Sequence, residues 1–120
     1  MAYARQAPDL DAAIDELRHT LVTRFGVATT MGYGPRFLHS TGQLHKGGPP
    51  SGLYLQLVEE PEADIEIPVQ SFSFGVLAAS QALGDLRALQ AAGRRVTRLD
   101  SSEGCAAAVT ALTRSLLAGG

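Results

Sequence analysis

LYLQLV at Leu53–Val58 and, further on, SFGVLAASQALGDLRALQAAGRRVTRL at Ser73–Leu99 decide the fold class of this chain. The first run is apolar at nearly every position, as expected of a central strand covered on both faces. In the second, Val76, Ala79, Leu83, Leu86 and Leu89 recur at helical spacing and predict a helix from about Ser73 to Ala92. Gly93 supplies its C-terminal stop, and Val96, Thr97, Arg98 and Leu99 follow as another short strand. Gly84, inside the helix, reads as a point of close packing. Helices that alternate with short apolar strands argue for a mainly parallel sheet.

Outward from this centre the pattern repeats. Towards the N-terminus, Leu10, Ala13, Ile14, Leu17, Leu21, Val22 and Phe25 form one apolar stripe and predict a helix from about Asp9 to Phe25. Pro8 suits its first turn, Asp9 and Asp11 suit its positive dipole end, and Gly26 suits its stop. Ala2, Tyr3 and Ala4 read as a brief strand entering that helix, and Val27–Met31 as another strand ending in a Gly-rich turn. From Arg36 to His45 the chain reads as more turn than scaffold, because Gly42 weakens a helix and Gly47, Gly48, Pro49 and Pro50 end it.

Ile65, Ile67 and Val69 alternate with Glu66 and Pro68, which describes a half-exposed strand near an edge, since Pro68 cannot donate to a ladder. Ala108, Val109, Leu112 and Leu116 predict a final helix that ends at Gly119 and Gly120. The expected architecture is α/β: a three-layer α/β/α sandwich with a mainly parallel sheet of about five strands, in a single domain over residues 1–120.

Composition bounds the function. The 120 residues are 45% hydrophobic and 18% charged, ordinary for a globular chain and too apolar for a disordered one. Ten Lys and Arg against twelve Asp and Glu give a net charge of -2 without runs of either sign, so nucleic acid is not an expected partner. The apolar stretches are too short to cross a bilayer, and the N-terminus lacks the apolar core of a signal peptide; no membrane partner is expected and a cytoplasmic location is. Cys105 is the one cysteine, cannot close an internal disulfide and reads as a core position in a reducing compartment.

Chemistry concentrates between Gly32 and Gly48. That stretch holds Arg36, His39, Ser40, Thr41, Gln43, His45 and Lys46 among glycines, directly after a predicted strand. In open α/β sheets the crevice at the carboxyl ends of the strands binds ligands. His transfers protons near neutral pH, Arg and Lys hold anions, and Gly lets backbone amides approach a ligand. The same stretch also reads as a solvated connection in which Ser40 or Thr41 caps a short helix. His39 and His45, six apart, do not share a helical face, and Cys105 is remote, so no metal is expected. Glu59, Glu60 and Glu66 read as a solvated strand end. Gly-x-Ser-x-Gly, Walker and dinucleotide fingerprints are lacking, and no cofactor is expected.

The run Ala28–Pro49, ATTMGYGPRFLHSTGQLHKGGP, resembles the C-terminal phosphoglucose isomerase part of bacterial bifunctional transaldolase/phosphoglucose isomerase proteins. The later run Ser71–Asp85, SFSFGVLAASQALGD, is similar to the same region, and Ala2-Tyr3-Ala4 before a helix also fits. The resemblance implies a sugar-isomerase (SIS-type) half domain of carbohydrate metabolism acting on a sugar phosphate. Its reaction class would be aldose–ketose isomerisation of the glucose 6-phosphate/fructose 6-phosphate type, by ring opening and proton transfer through an enediolate. His39 takes the place of the ring-opening His, with Arg36, Ser40, Thr41, Gln43, His45 and Lys46 as substrate-binding candidates. The resemblance further implies that the family's proton-abstracting Glu, oxyanion-stabilising Arg and most of the phosphate cradle lie upstream of the matched region. Activity would then need a partner chain carrying that half. Ala78 stands where related proteins carry a Lys. The alternatives are a non-catalytic sugar-phosphate-binding module and a homo-oligomerisation module.

Overall fold

A computed structural model describes residues 1–36 and 41–119, with Thr41 through its backbone only. The elements are β1 (Ala2–Tyr3), α1 (Pro8–Phe25), α2 (Thr41–Gly47), β2 (Leu53–Val58), α3 (Phe74–Ala91), β3 (Arg95–Asp100) and α4 (Cys105–Ala118). The strands form one parallel sheet in the order β1-β2-β3, with Ala2 opposite Leu57 and Leu57 opposite Leu99. Met1 and Tyr3 accept from the Leu57 and Glu59 N–H groups on one side of β1. On its other side Ala2 donates to Gly32 and accepts from Gly34, which makes a parallel bridge to Tyr33.

The mixed α/β class and the parallel sheet agree with the sequence, but the sheet has three strands among the described residues instead of about five. Val27–Met31 makes no strand. The pairing there shrinks to the Tyr33 bridge because Gly32 and Gly34 flank it and Pro35 has no N–H to extend a ladder. Ile65–Val69 is not a strand either. Pro68 interrupts it and Val69 sits at φ 67°, where a β-branched residue cannot continue an extended chain. What remains is an antiparallel bridge between Glu66 and Ser73, with the Phe74 N–H donating to the Ile65 carbonyl.

Helices cover both faces of the sheet. On one face Leu10, Ala13, Ile14 and Leu17 of α1 meet Cys105 and Val109 of α4 over Ala2 and Leu57, all buried. Each such aliphatic side chain contributes about 1.5–3 kcal/mol on full burial. Pro8 opens α1, Asp9 and Asp11 occupy its first turn, and Gly26 closes it at φ 63° with its N–H on the Val22 carbonyl. The Arg24 guanidinium reaches the Leu116 and Leu117 carbonyls and clasps the ends of α1 and α4 together. Cys105 is a core residue, as its sequence setting suggests.

The other face is covered by α3, with α2 beside it. The buried residues of α3 are Ala82, Asp85 and Leu89, so of the stripe that reveals this helix in the sequence Leu89 is fully buried and Leu86 half-buried. Val76, Ala79 and Leu83 are exposed. A Cβ at Gly84 would meet nothing within 4 Å, so this glycine does not mark close packing. No helix among the described residues is long and apolar enough to cross a membrane.

Candidate functional site

With Tyr33 beside β1, the spatial order along the sheet is Tyr33, β1, β2, β3. The chain leaves β1 for Tyr33 on one side, then crosses through α2 to β2 on the other. Strand order therefore reverses between β1 and β2, the kind of position at which open parallel sheets form a crevice at their carboxyl ends. Tyr3, Tyr33 with the following Gly34 to Arg36, and Val58 with Glu59 stand at those ends.

The stretch expected to be more turn than scaffold contains the seven-residue helix α2, despite Gly42. Contacts at its far end explain this. Arg94, just before β3, donates to the carbonyls of His45 (3.1 Å), Lys46 (2.9 Å) and Gly48, and the Tyr54 hydroxyl donates to the His45 carbonyl at 3.3 Å. A guanidinium on the last carbonyls both satisfies them and complements the negative end of the helix dipole. Lys46 Nζ then reaches 2.9 Å to the Asp85 carboxylate on α3, whose side chain is 2% exposed.

The candidate residues separate into groups. Arg36 and Gln43 are exposed. His39 and Ser40 lie outside the described residues, and Thr41 opens α2. His45 and Lys46 are half-buried: the His45 ring meets Tyr54 edge-on at 5.2 Å, and Lys46 is held by Asp85. The structure thus draws His45 and Lys46 into the packing of α2 against β2 and α3, and leaves Arg36 and Gln43 facing solvent. A lysine already paired with a buried carboxylate is a poor seat for a substrate phosphate.

Beneath Lys46 lies a polar cluster that periodicity does not reveal. Gln56 is completely buried in the middle of β2 and donates from Nε2 to the Ala82 carbonyl at 2.9 Å. Its Oε1 and the Asp85 Oδ2 have no hydrogen-bond partner among the described residues. The signals were faint: Gln56 is the one polar residue of LYLQLV, and Asp85 the one acidic residue of α3. Burial is the main cause that lowers the His45 pKa from its usual 6.5, joined by repulsion from the Met1 ammonium and Lys46 and opposed by Asp85. Burial first, then the Asp85 charge, raises the Tyr3 phenol above its ordinary range.

Two further carboxylates sit on helix starts. Glu59, instead of ending β2 in solvent, accepts from the Cys105 N–H of α4 at 3.2 Å. Asp64 accepts from the Gly75 N–H of α3 at 2.8 Å and from the Ser73 hydroxyl, contacts that lower its pKa. Helix N-termini attract anions through free N–H groups and the dipole. Here the molecule's own carboxylates occupy both. Cys105, beneath Glu59, has its thiol pushed up to about 11, by burial first and then by Glu59 and Asp100.

Against solved structures, this arrangement is similar to the crystal structure of a hypothetical protein from Thermus thermophilus, with TM-score 0.73 and 27% identity. The likeness spans the fold. It covers 98% of this chain and 32% of the Thermus chain, so the present chain spans about a third of that protein's length. No family model and no curated protein matches the chain.

Proposed function

We propose that the chain is a sugar-isomerase-like half domain that binds a sugar phosphate and takes part in aldose–ketose isomerisation together with a partner half. In this reading His39 moves the protons of ring opening, for which an imidazole is suited near pH 7. Arg36 and Gln43, exposed on either side of it in sequence, meet the substrate. His45 and Lys46 are assigned to holding α2, by way of Tyr54 and Asp85.

The observation that carries this reading is the course of the Gly34 to Lys46 stretch. It leaves the sheet next to β1, at the carboxyl edge where strand order reverses, and is anchored at its far end by Arg94 and Asp85. The described ends of this stretch, Gly34–Arg36 and α2, support the reading that a ligand in that crevice meets the isomerase-like motif. The carboxylates on α3 and α4 favour a division of labour, because the starts of these two helices are taken by Asp64 and Glu59. The phosphate cradle then belongs to the partner half.

The test is a heteronuclear NMR titration with glucose 6-phosphate and fructose 6-phosphate, followed in the same tube for interconversion. Shifts centred on Arg36 to Gly48 are expected, and interconversion on addition of a chain carrying the upstream half, lost in His39→Ala. Absence of shifts at millimolar ligand, with and without that second chain, would overturn the reading. A non-catalytic sugar-phosphate-binding module is the second reading, favoured by Ala78 at the place of a lysine in related proteins. It requires shifts without interconversion under both conditions.

A further inference from the structure

The helix α3 is apolar on the side that faces away from the sheet. Val76, Ser80, Leu83 and Arg87 follow one another at steps of four, three and four residues along that outer face, with Val76 52% and Leu83 39% exposed; Phe72, 41% exposed, precedes the helix. Phe74, Leu77 and Ile65 extend the patch around the start of the helix. The molecule is also less closed on itself than its length demands: its radius of gyration is 15.1 Å, against about 13.6 Å for a compact domain of this size.

We infer that this face binds a second copy of the same chain, the two α3 helices packing antiparallel across a two-fold axis near Ser80. Three features of the stripe fit that occupant. Val76 and Leu83 lie seven residues apart with Ala79 and Ser80 between them. In an antiparallel pair centred on those small residues, Val76 of each copy meets Leu83 of the other, which is the self-complementarity that two-fold symmetry demands. The charges follow the same symmetry. Asp64 and Glu66 adjoin the start of α3 at Gly75 and Ser73, whereas Arg87 stands exposed towards its end. Rotation about the axis sets the acidic end of each copy against the Arg87 of the other. A parallel pairing would set like charges together.

The sheet edge offers no comparable route. Arg98 pairs with Asp100 along β3, and Arg95 is exposed beside them, so this edge carries the charges that discourage strand-to-strand addition. A helix of 18 residues is about 27 Å long and about 10–12 Å wide. That strip covers about 300 Å², half of the roughly 600 Å² per partner of a specific interface, and Ile65, Phe72 and Phe74 widen it at one end, so the contact is of the weak, transient kind. A dimer in the micromolar range is the expected strength.

Sedimentation equilibrium of the 120-residue chain tests the inference, with Leu83→Glu, Arg87→Glu and the charge-swapped Arg87→Glu/Glu66→Arg. All three sites are exposed, and circular dichroism verifies that each variant folds. The expected result is a mass that doubles with rising concentration in the parent, and dissociation constants at least about tenfold weaker in both single variants. The double variant returns to within about threefold of the parent. A parent that stays monomeric throughout, self-association indifferent to Leu83→Glu and Arg87→Glu, or a double variant as weak as Arg87→Glu would each overturn it.

Discussion

The two helical layers are built by opposite rules. Beneath α1 and α4 the sheet presents Ala2 and Leu57 to leucines, an isoleucine and a valine. Beneath α2 and α3 it presents Tyr3 and Gln56 to Ala82, Asp85 and the Lys46 ammonium, with Leu89 the one leucine of α3 that is fully buried, while Val76 and Leu83 look outward. The first layer is fixed by aliphatic burial and tolerates imprecision in direction. The second is fixed by a few polar contacts that demand geometry and stabilise little, since most of their gain offsets desolvation. Stability should reside in the first layer and positioning in the second.

The largest effect expected from this contrast is in the core. Leu17→Ala should cost about 2–5 kcal/mol, while Leu83→Ala, examined at high dilution, should change stability by no more than about 0.5 kcal/mol. Urea unfolding of the two variants checks this, and equal losses would abolish the distinction. Next is the Lys46–Asp85 pair. Lys46→Ala leaves a buried carboxylate without its cation and should cost about 1–3 kcal/mol, discounted because Lys46 is partly in water. Adding Asp85→Asn should restore part of that loss in a double-mutant cycle.

Arg94→Ala should cost about 1–2 kcal/mol. It should also speed amide exchange in Gln43–Gly48 and leave α4 unchanged, a local signature that uniform destabilisation would not give. One group in each layer gives a pH signature, a thiol in the first and an imidazole in the second. The Cys105 thiol is raised from 9.0 to about 11 by folding, so its contribution is intact below pH 9 and is lost as pH rises through about 11. The His45 pKa is lowered, so the unfolded chain binds its proton first and stability falls as pH drops below 6.5. Stability measured against pH should fall less steeply between pH 9 and 11 in Cys105→Ala, and less steeply below pH 6.5 in His45→Gln. The smallest effect is a gain: Gly84→Ala, with open space around the site, should stabilise α3 by about 0.5–1 kcal/mol.

The first layer was largely legible in the sequence. Leu10, Ala13, Ile14 and Leu17 announce α1 and are buried with Thr20, because periodicity and burial share one cause there, whereas Val22 and Phe25 of the same stripe are exposed near the helix end. For α3 the periodicity located the helix from Phe74 to Ala91 and found Leu89 on its inward side, but Val76, Ala79 and Leu83 are exposed, and the rest of that side is Ala82 and Asp85, the latter answering a lysine 39 positions earlier. The same nonlocality hid α2. Gly42 and Gly47 argue against a helix locally, and Arg94, distant in sequence, supplies the contacts that hold one. Strands were overcounted at Val27–Met31 and Ile65–Val69 because β-prone composition does not provide a neighbour to pair with. Within the candidate segment, sequence alone does not separate Arg36 and Gln43, which face water, from His45 and Lys46, which pack against Tyr54 and Asp85.

Asp64 and Glu59, seated on the starts of α3 and α4, act as tethered competitors for any anion that approaches those helices. A group attached to the same chain presents itself at an effective concentration of about millimolar or more, so a loose phosphate or sulfate ion meets a rival that never diffuses away. Displacing it takes a ligand whose remaining atoms gain something elsewhere on the surface. The molecule is thereby insulated from the inorganic anions around it, and discrimination passes from the charge of a ligand to the shape of what carries that charge.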